Sequence, residues 1–182
     1  MVISERQRAI IIGTLLGDGY IYRNQYGSSY LEVKHAVRDS AYVRWMHGEL
    51  QTLCRRPPYQ RSDNGQWRLY TRYDPVMTTI HDRFYNGHRK CVPLDIARDL
   101  CDPIAVAVWY MDDGSLDYRP KSHYAFAFST NAFTYGENEI LAQALEKNFG
   151  IATRIDTPLC RGKRYPELAI ATKSRQRFRD LV

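Results

Sequence analysis

Two segments of this 182-residue chain end in an acidic residue followed by glycine: Ile11-Ile12-Gly13-Thr14-Leu15-Leu16-Gly17-Asp18-Gly19 and Val106-Ala107-Val108-Trp109-Tyr110-Met111-Asp112-Asp113-Gly114. Each reads as an apolar helix rich in small residues, closed by a glycine suited to the left-handed conformation. The aspartates are out of place by ordinary helix chemistry. A carboxylate in the last turn faces the negative end of the macrodipole, at a cost of about 0.3–1 kcal/mol when exposed and more when buried. If the two helices pack side by side, Asp18 and Asp113 come close, and like charges at short range raise one pKa or call for a cation between them. A divalent ion answers that need, since Mg²⁺ takes carboxylate oxygens, waters and substrate phosphate oxygens and suits phosphodiester chemistry. Asp-Gly alone is ordinary turn chemistry; the doubling in a matched context is what points to a site.

The chain after each aspartate carries the same order of elements: helix, two strands, helix, two strands, helix. Asp113 follows Asp18 by 95 residues (113 minus 18). In the first half, strands are expected around Tyr20 to Gln25 and Ser29 to Val37, and a helix from about Ser40 with Tyr42, Val43, Met46 and Leu50 at helical spacing. A strand pair over Gln60 to Tyr73 turns at Asp63-Asn64-Gly65, and Asp74-Pro75 opens the next helix. In the second half, strands fall near Leu116 to Arg119 and Tyr124 to Ser129. Thr134 and Glu137 form a capping box for a helix that Gly150 stops. Strands around Ile151 to Asp156 and Pro166 to Thr172 and a helix from Ser174 follow. The expected organisation is an N-terminal half over 1–92, a linker over 93–102 and a C-terminal half over 103–182, sharing one core.

Strand alternation separates apolar from polar faces. Gln66, Arg68, Tyr70 and Arg72 share one face, while Trp67, Leu69, Thr71 and Tyr73 share the other. Tyr22, Asn24, Glu32 and Lys34, and in the second half Asp117, Arg119 and Arg154, also fall on outward positions. Solvation is the commoner fate of such faces, but a polar β-ribbon also fits the major groove of DNA.

Composition agrees with a polyanionic partner. Lys and Arg number 26 against 20 Asp and Glu, a net charge of +6, with 14 tyrosines and 3 tryptophans interleaved; the sequence pI is near 9.2. Arginine far outnumbers lysine, which suits phosphate and base contacts. The cysteines Cys54, Cys91, Cys101 and Cys160 lack zinc or disulfide spacing, so reduced, mostly packed thiols are expected. The histidines show no metal-binding spacing and are expected as surface, core-edge or phosphate contacts. No stretch approaches a membrane span and the N-terminus has no signal-peptide pattern, so a soluble intracellular protein is expected, in a bacterial cytoplasm or an organelle.

The ordered set of Gly13 to Ile21, Lys90-Cys91-Val92-Pro93, Trp109 to Gly114 and Ser129 to Thr134 resembles the LAGLIDADG homing endonucleases, specifically the single-chain, intron-encoded type with two motifs. The resemblance spans nearly the whole chain. It implies an α+β fold of two pseudo-twofold αββαββ(α) halves, with the motif helices at the interface and antiparallel saddle-shaped sheets over DNA. It implies that Asp18 and Asp113 are the metal-binding catalytic carboxylates, with Asp112 and Gly17 contributing mainly backbone carbonyls and Lys90 a basic residue near the metals. By the same resemblance the cofactor is Mg²⁺, with Mn²⁺ substituting and Ca²⁺ supporting binding without cutting, and the chain works as a monomer on double-stranded DNA. Matching Leu69 to Leu168 places a counterpart of Lys90 near position 189, past Val182, which sets full two-strand cleavage in question. Two other readings compete: an RNA maturase acting on its host intron, or a DNA binder that no longer cuts.

Overall fold

The computed structural model describes residues 2–120, 123–160 and 162–182, and of Cys160 the backbone alone. The chain opens with helix α1 (Glu5–Leu16), whose start is set by a capping box. The Ser4 hydroxyl accepts from the Gln7 amide, and the Gln7 side chain accepts from the Ser4 amide. From Ala9 to Leu16 every residue is buried, so α1 is a central helix rather than an amphipathic surface one. Its partner is α4 (Pro103–Asp113), capped by Asp102 with proline in the first turn.

Between them run β1 (Tyr20–Arg23), β2 (Ser29–His35), α2 (Ser40–Leu50), β3 (Tyr59–Gln60), β4 (Trp67–Tyr70) and α3 (Pro75–Phe84), then a two-residue ribbon, β5 (Tyr85–Asn86) and β6 (Arg89–Lys90). After α4 come β7 (Gly114–Arg119), β8 (His123–Phe128), α5 (Tyr135–Phe149) and β9 (Thr153–Asp156). A ribbon of β10 (Leu159–Cys160) and β11 (Lys163–Arg164), then β12 (Glu167–Ile170) and α6 (Arg175–Leu181), complete the chain. The four-stranded antiparallel sheets have orders β1-β2-β4-β3 and β7-β8-β12-β9, the same topology twice. Register repeats as well: Val33 opposes Leu69, and Phe128, 95 residues after Val33, opposes Leu168. This is the expected pair of α+β repeats. One continuous apolar core runs from α1 and α4 into both sheets.

The local signals work as chemistry predicts at α3, where Asp74 accepts from Val76 N, and at α5. There Thr134 and Glu137 form their capping box and Gly150 adopts φ +63°. The motif glycines do not follow the expectation. Gly17 has φ −104° and Gly114 φ −76°, neither left-handed. They are required by close approach: a Cβ on Gly17 falls 2.4 Å from Asp112 Cβ, and one on Gly13 falls 2.4 Å from the Ala105 carbonyl oxygen. A Cβ on Gly114 meets the Tyr110 ring at 2.3 Å.

Other expectations are corrected by how far the strands extend. β4 ends at Tyr70, so Tyr73 leaves the alternation and is 52% exposed instead of facing the core. Among the described cysteine side chains only Cys54 is buried; Cys91 is half-buried and Cys101 exposed. The halves also differ beneath their first strands. Ile21 is fully buried and its amide donates to the Tyr85 hydroxyl at 2.9 Å, whereas Leu116 and Tyr118 on β7 are 55% and 64% exposed.

Candidate nuclease centre at the helix pair

Because Gly13 and Gly17 lack side chains, α1 and α4 approach closely enough to set their C-terminal ends together. There Asp112 fills the space that Gly17 leaves. Its side chain is wholly buried, accepting from Thr14 Oγ1 at 2.7 Å, Tyr42 Oη at 2.9 Å and the Asp18 amide at 3.3 Å. Burial pushes its pKa up to about 7, against the hydrogen bonds from Thr14 and Tyr42 that favour the anion. The expectation that Asp112 lends mainly a carbonyl misses this. Its carboxylate joins α1, α2 and α4, and Tyr42, counted only as an apolar helix position, is one of its donors.

Asp113 is raised to about 7 by burial first, then by the neighbouring Asp18 and Asp112 carboxylates, with Lys90 pulling the other way. The Asp18 side chain is half exposed. Lys90, carried on β6, donates to the carbonyls of Gly17 and Gly19, both at 2.8 Å. It therefore places a cation against the negative end of α1, the compensation the macrodipole requires. Burial lowers the Lys90 pKa, while Asp113, Asp18 and Asp112 raise it. The Gly17 carbonyl, which the resemblance offers to a metal, accepts here from Lys90.

His35 is a member of the cluster that sequence reasoning passed over. It ends β2 on the same face as Leu31 and Val33 and is 8% exposed. Its Nδ1 lies 3.8 Å from Asp18 Oδ2 and its Nε2 3.5 Å from Asp112 Oδ1. Burial lowers its pKa, so the ring is neutral at neutral pH. The signal available was position: a histidine on the buried parity of a strand that closes on the first aspartate.

Three carboxylates against one ammonium leave the centre short of positive charge, and buried Nε2 of His35 has no hydrogen-bond partner. A divalent cation fits this donor set. Among the described residues no group of three or more His, Cys, Asp or Glu forms a ready-made cage, so water and phosphate oxygens must complete any coordination, as in open Mg²⁺ sites.

The two sheets flank this centre. By register, Tyr20, Tyr22, Tyr30, Glu32, Lys34, Tyr59, Arg68 and Tyr70 share the outer face of the first sheet. Glu32 is 8% exposed, neutralised by Arg68 and by Lys34 at 2.8 Å. Asn24 lies off that face in the turn, where its side-chain oxygen accepts from Tyr26 and Ser28 amides. Gln66 is tied to Asn64 in the β3–β4 turn, and Arg72 is exposed just beyond β4. On the second sheet, Asp117, Arg119 and Arg154 share a face floored by Ala125, Ala127 and Ala169. Asp117 lies 3.4 Å from Arg119, and Arg154 binds Asp156 at 2.5 Å. One face is tyrosine-lined and the other alanine-floored with charged edges.

A family model described as the LAGLIDADG DNA endonuclease family matches residues 8–178. The chain belongs to that family. The fold matches the structure of homing endonuclease I-WcaI bound to its DNA recognition sequence, with a TM-score of 0.85 and 26% identity over 100% of this chain and 82% of that one. A probable intron-encoded endonuclease 1 of Wickerhamomyces canadensis is 26% identical, covering 99% of this chain and 80% of its own. Protein RecA of Mycobacterium gastri is 29% identical over 66% of this chain and 29% of its own, so the chain spans well under half of that relative. The cytochrome b mRNA maturase bI2 of Saccharomyces cerevisiae is 24% identical over 81% of this chain and 37% of its own. Among the described residues of this LAGLIDADG chain, no helix is long and apolar enough to cross a membrane.

Proposed function

We propose that this chain cuts double-stranded DNA at a long specific site by divalent-metal-dependent phosphodiester hydrolysis. The observation that carries this reading is the pair of aspartates, Asp18 and Asp113, closing two helices packed at the centre of a repeated fold, between two polar sheet faces. Asp18 and Asp113 would hold Mg²⁺ or Mn²⁺, which when bound polarises a phosphate and supplies an activated water. Lys90 fixes the Gly17–Gly19 turn that carries Asp18 and sets positive charge beside the reacting phosphate. Asp112, through Thr14 and Tyr42, sets the separation of the two helix ends, and neutral His35 stands where it can orient water between Asp18 and Asp112. Tyr22, Lys34, Arg68, Tyr70, Arg72 and Gln66 on one side and Asp117, Arg119 and Arg154 on the other meet the two arms of the duplex. Glu32 tunes Arg68 and Lys34 from below, and Asn24 shapes the turn beside them. Both half-sites lie in one polypeptide, so a monomer suffices, acting in a bacterial cytoplasm or an organelle.

Cleavage of a plasmid library of host-gene or randomised targets in Mg²⁺, in Ca²⁺ and in EDTA tests this. A discrete cut in Mg²⁺ alone, with binding retained in Ca²⁺, is the expected result; cutting that survives EDTA would refute the metal role. The likeness to the bI2 maturase supports a second reading, that the chain assists splicing of its own intron RNA. Splicing assays with the host intron separate the two.

A further inference from the structure

A cleft of about 650 Å³ opens at the outer end of the first sheet, lined by Tyr30, Tyr59, Tyr70, Tyr73, Thr71 and four arginines, Arg55, Arg56, Arg68 and Arg72. It lies away from the aspartates. Tyr30 precedes His35 on β2 by five residues, or roughly 17 Å of strand. Among the described residues no acidic side chain lines it. Arg68 is neutralised by Glu32, but among the described residues Arg55, Arg56 and Arg72 have no carboxylate within ion-pair range.

The tyrosines meet edge-on or tilted. Tyr30 lies 5.0 Å from Tyr73 at 85° and 6.0 Å from Tyr70 at 59°, and Tyr59 lies 6.4 Å from Tyr70 at 89°. Each edge-on pair uses the face of one ring only, with no face-to-face stack among them. Two guanidinium groups already sit on these rings: Arg56, 4.2 Å from the Tyr59 centroid and 5.1 Å from that of Tyr70, and Arg68, 5.4 Å from that of Tyr70. The frame is preset. Pro57-Pro58 stiffens the link from Arg56 to Tyr59, and the wall is pinned by the Cys54–Thr71 bridge and the Arg72 amide on the Leu53 carbonyl at 2.8 Å.

Aromatic faces beside unneutralised guanidinium groups, in a cavity of small-molecule size, match a planar base with its phosphate. We propose that this cleft binds an unpaired nucleotide, its base against the Tyr59 ring beside the Arg56 guanidinium and its phosphate on Arg55 and Arg56. The nucleotide comes from single-stranded RNA or from DNA that is locally unpaired. The proposal rests on the reading above only in taking nucleic acid as the partner.

The test is fluorescence anisotropy of the full chain with labelled single-stranded RNA, single-stranded DNA, a fully paired duplex, and an abasic strand of equal length. Base-bearing single strands should bind more tightly than the abasic strand. Tyr59→Leu and, separately, Arg56→Gln should each weaken that binding by about fivefold or more and change duplex binding by less than twofold. The tighter single strand identifies the source of the nucleotide. Arg56 is exposed, so its variant keeps the test sound if Tyr59→Leu melts early. Equal affinity for abasic and base-bearing strands would overturn the proposal, leaving charge alone. So would equal losses on duplex, which would assign the cleft to the duplex face. Failure of the unaltered chain to cut duplex DNA, by contrast, would count against the nuclease reading and not against the cleft.

Discussion

Glu137 shows how one side chain joins the halves. It is 8% exposed, caps α5 through Thr134 and accepts from Arg89 and from the Val92 amide. Burial alone would raise its pKa, but the Arg89 guanidinium and the backbone donors lower it from 4.5 to about 2. A carboxylate depressed in the folded state stabilises the fold above its unfolded pKa, and that stability is lost as pH falls through the folded value. The difference corresponds to about 3 kcal/mol. Glu137→Gln should thus cost about 2–3 kcal/mol in urea melts at pH 7, with the gap to the unaltered protein narrowing steadily below pH 4.5. A gap independent of pH would show that the carboxylate charge is not the source. The Thr134–Glu137 box is readable in the sequence because it spans one helical turn; Arg89 and Val92 are not, because they arrive from about 45 residues earlier. The same distinction holds at the centre. Asp18 and Asp113 stand out by repetition, whereas the burial of Asp112 and the approach of His35 depend on contacts between separate elements.

At the scale of elements, the motif helices are specified by what they lack. A methyl on Gly17 would meet Asp112 Cβ at 2.4 Å, while one on Gly48, in α2, meets nothing within 4 Å. Gly17→Ala is expected to cost about 1–3 kcal/mol through overpacking, and Gly48→Ala to gain about 0.5–1 kcal/mol through helix propensity. Thermal melts of the pair check this, and an unharmed Gly17→Ala would mean that the helix ends can separate freely. The order αββαββα and the caps at Asp74 and Thr134 were legible because each is a local pattern. The β5–β6 ribbon was not, being two residues per strand, yet it is what delivers Lys90. The role of the motif glycines was misread for a related reason: sequence alone suggests a turn conformation, and only the packed pair reveals a steric limit.

At the scale of the molecule, a net charge of +6 and two polar sheets beside one acidic centre fit the proposed function, in which the body would be attracted to DNA everywhere and would react at one point. Binding should therefore weaken steeply with salt. Some six phosphate contacts give a log–log slope of about −5, measured by duplex titrations in Ca²⁺ across salt concentrations, and a slope near zero would remove the sheets from the interface. The central claim is that Asp18 and Asp113 hold the metal that cuts. Its most direct test is cleavage and binding of an identified target plasmid by Asp18→Asn and Asp113→Asn in Mg²⁺. Each variant is expected to bind the target as tightly as the parent or better, and to lose double-strand cleavage by several orders of magnitude; undiminished cutting by either variant would contradict the account.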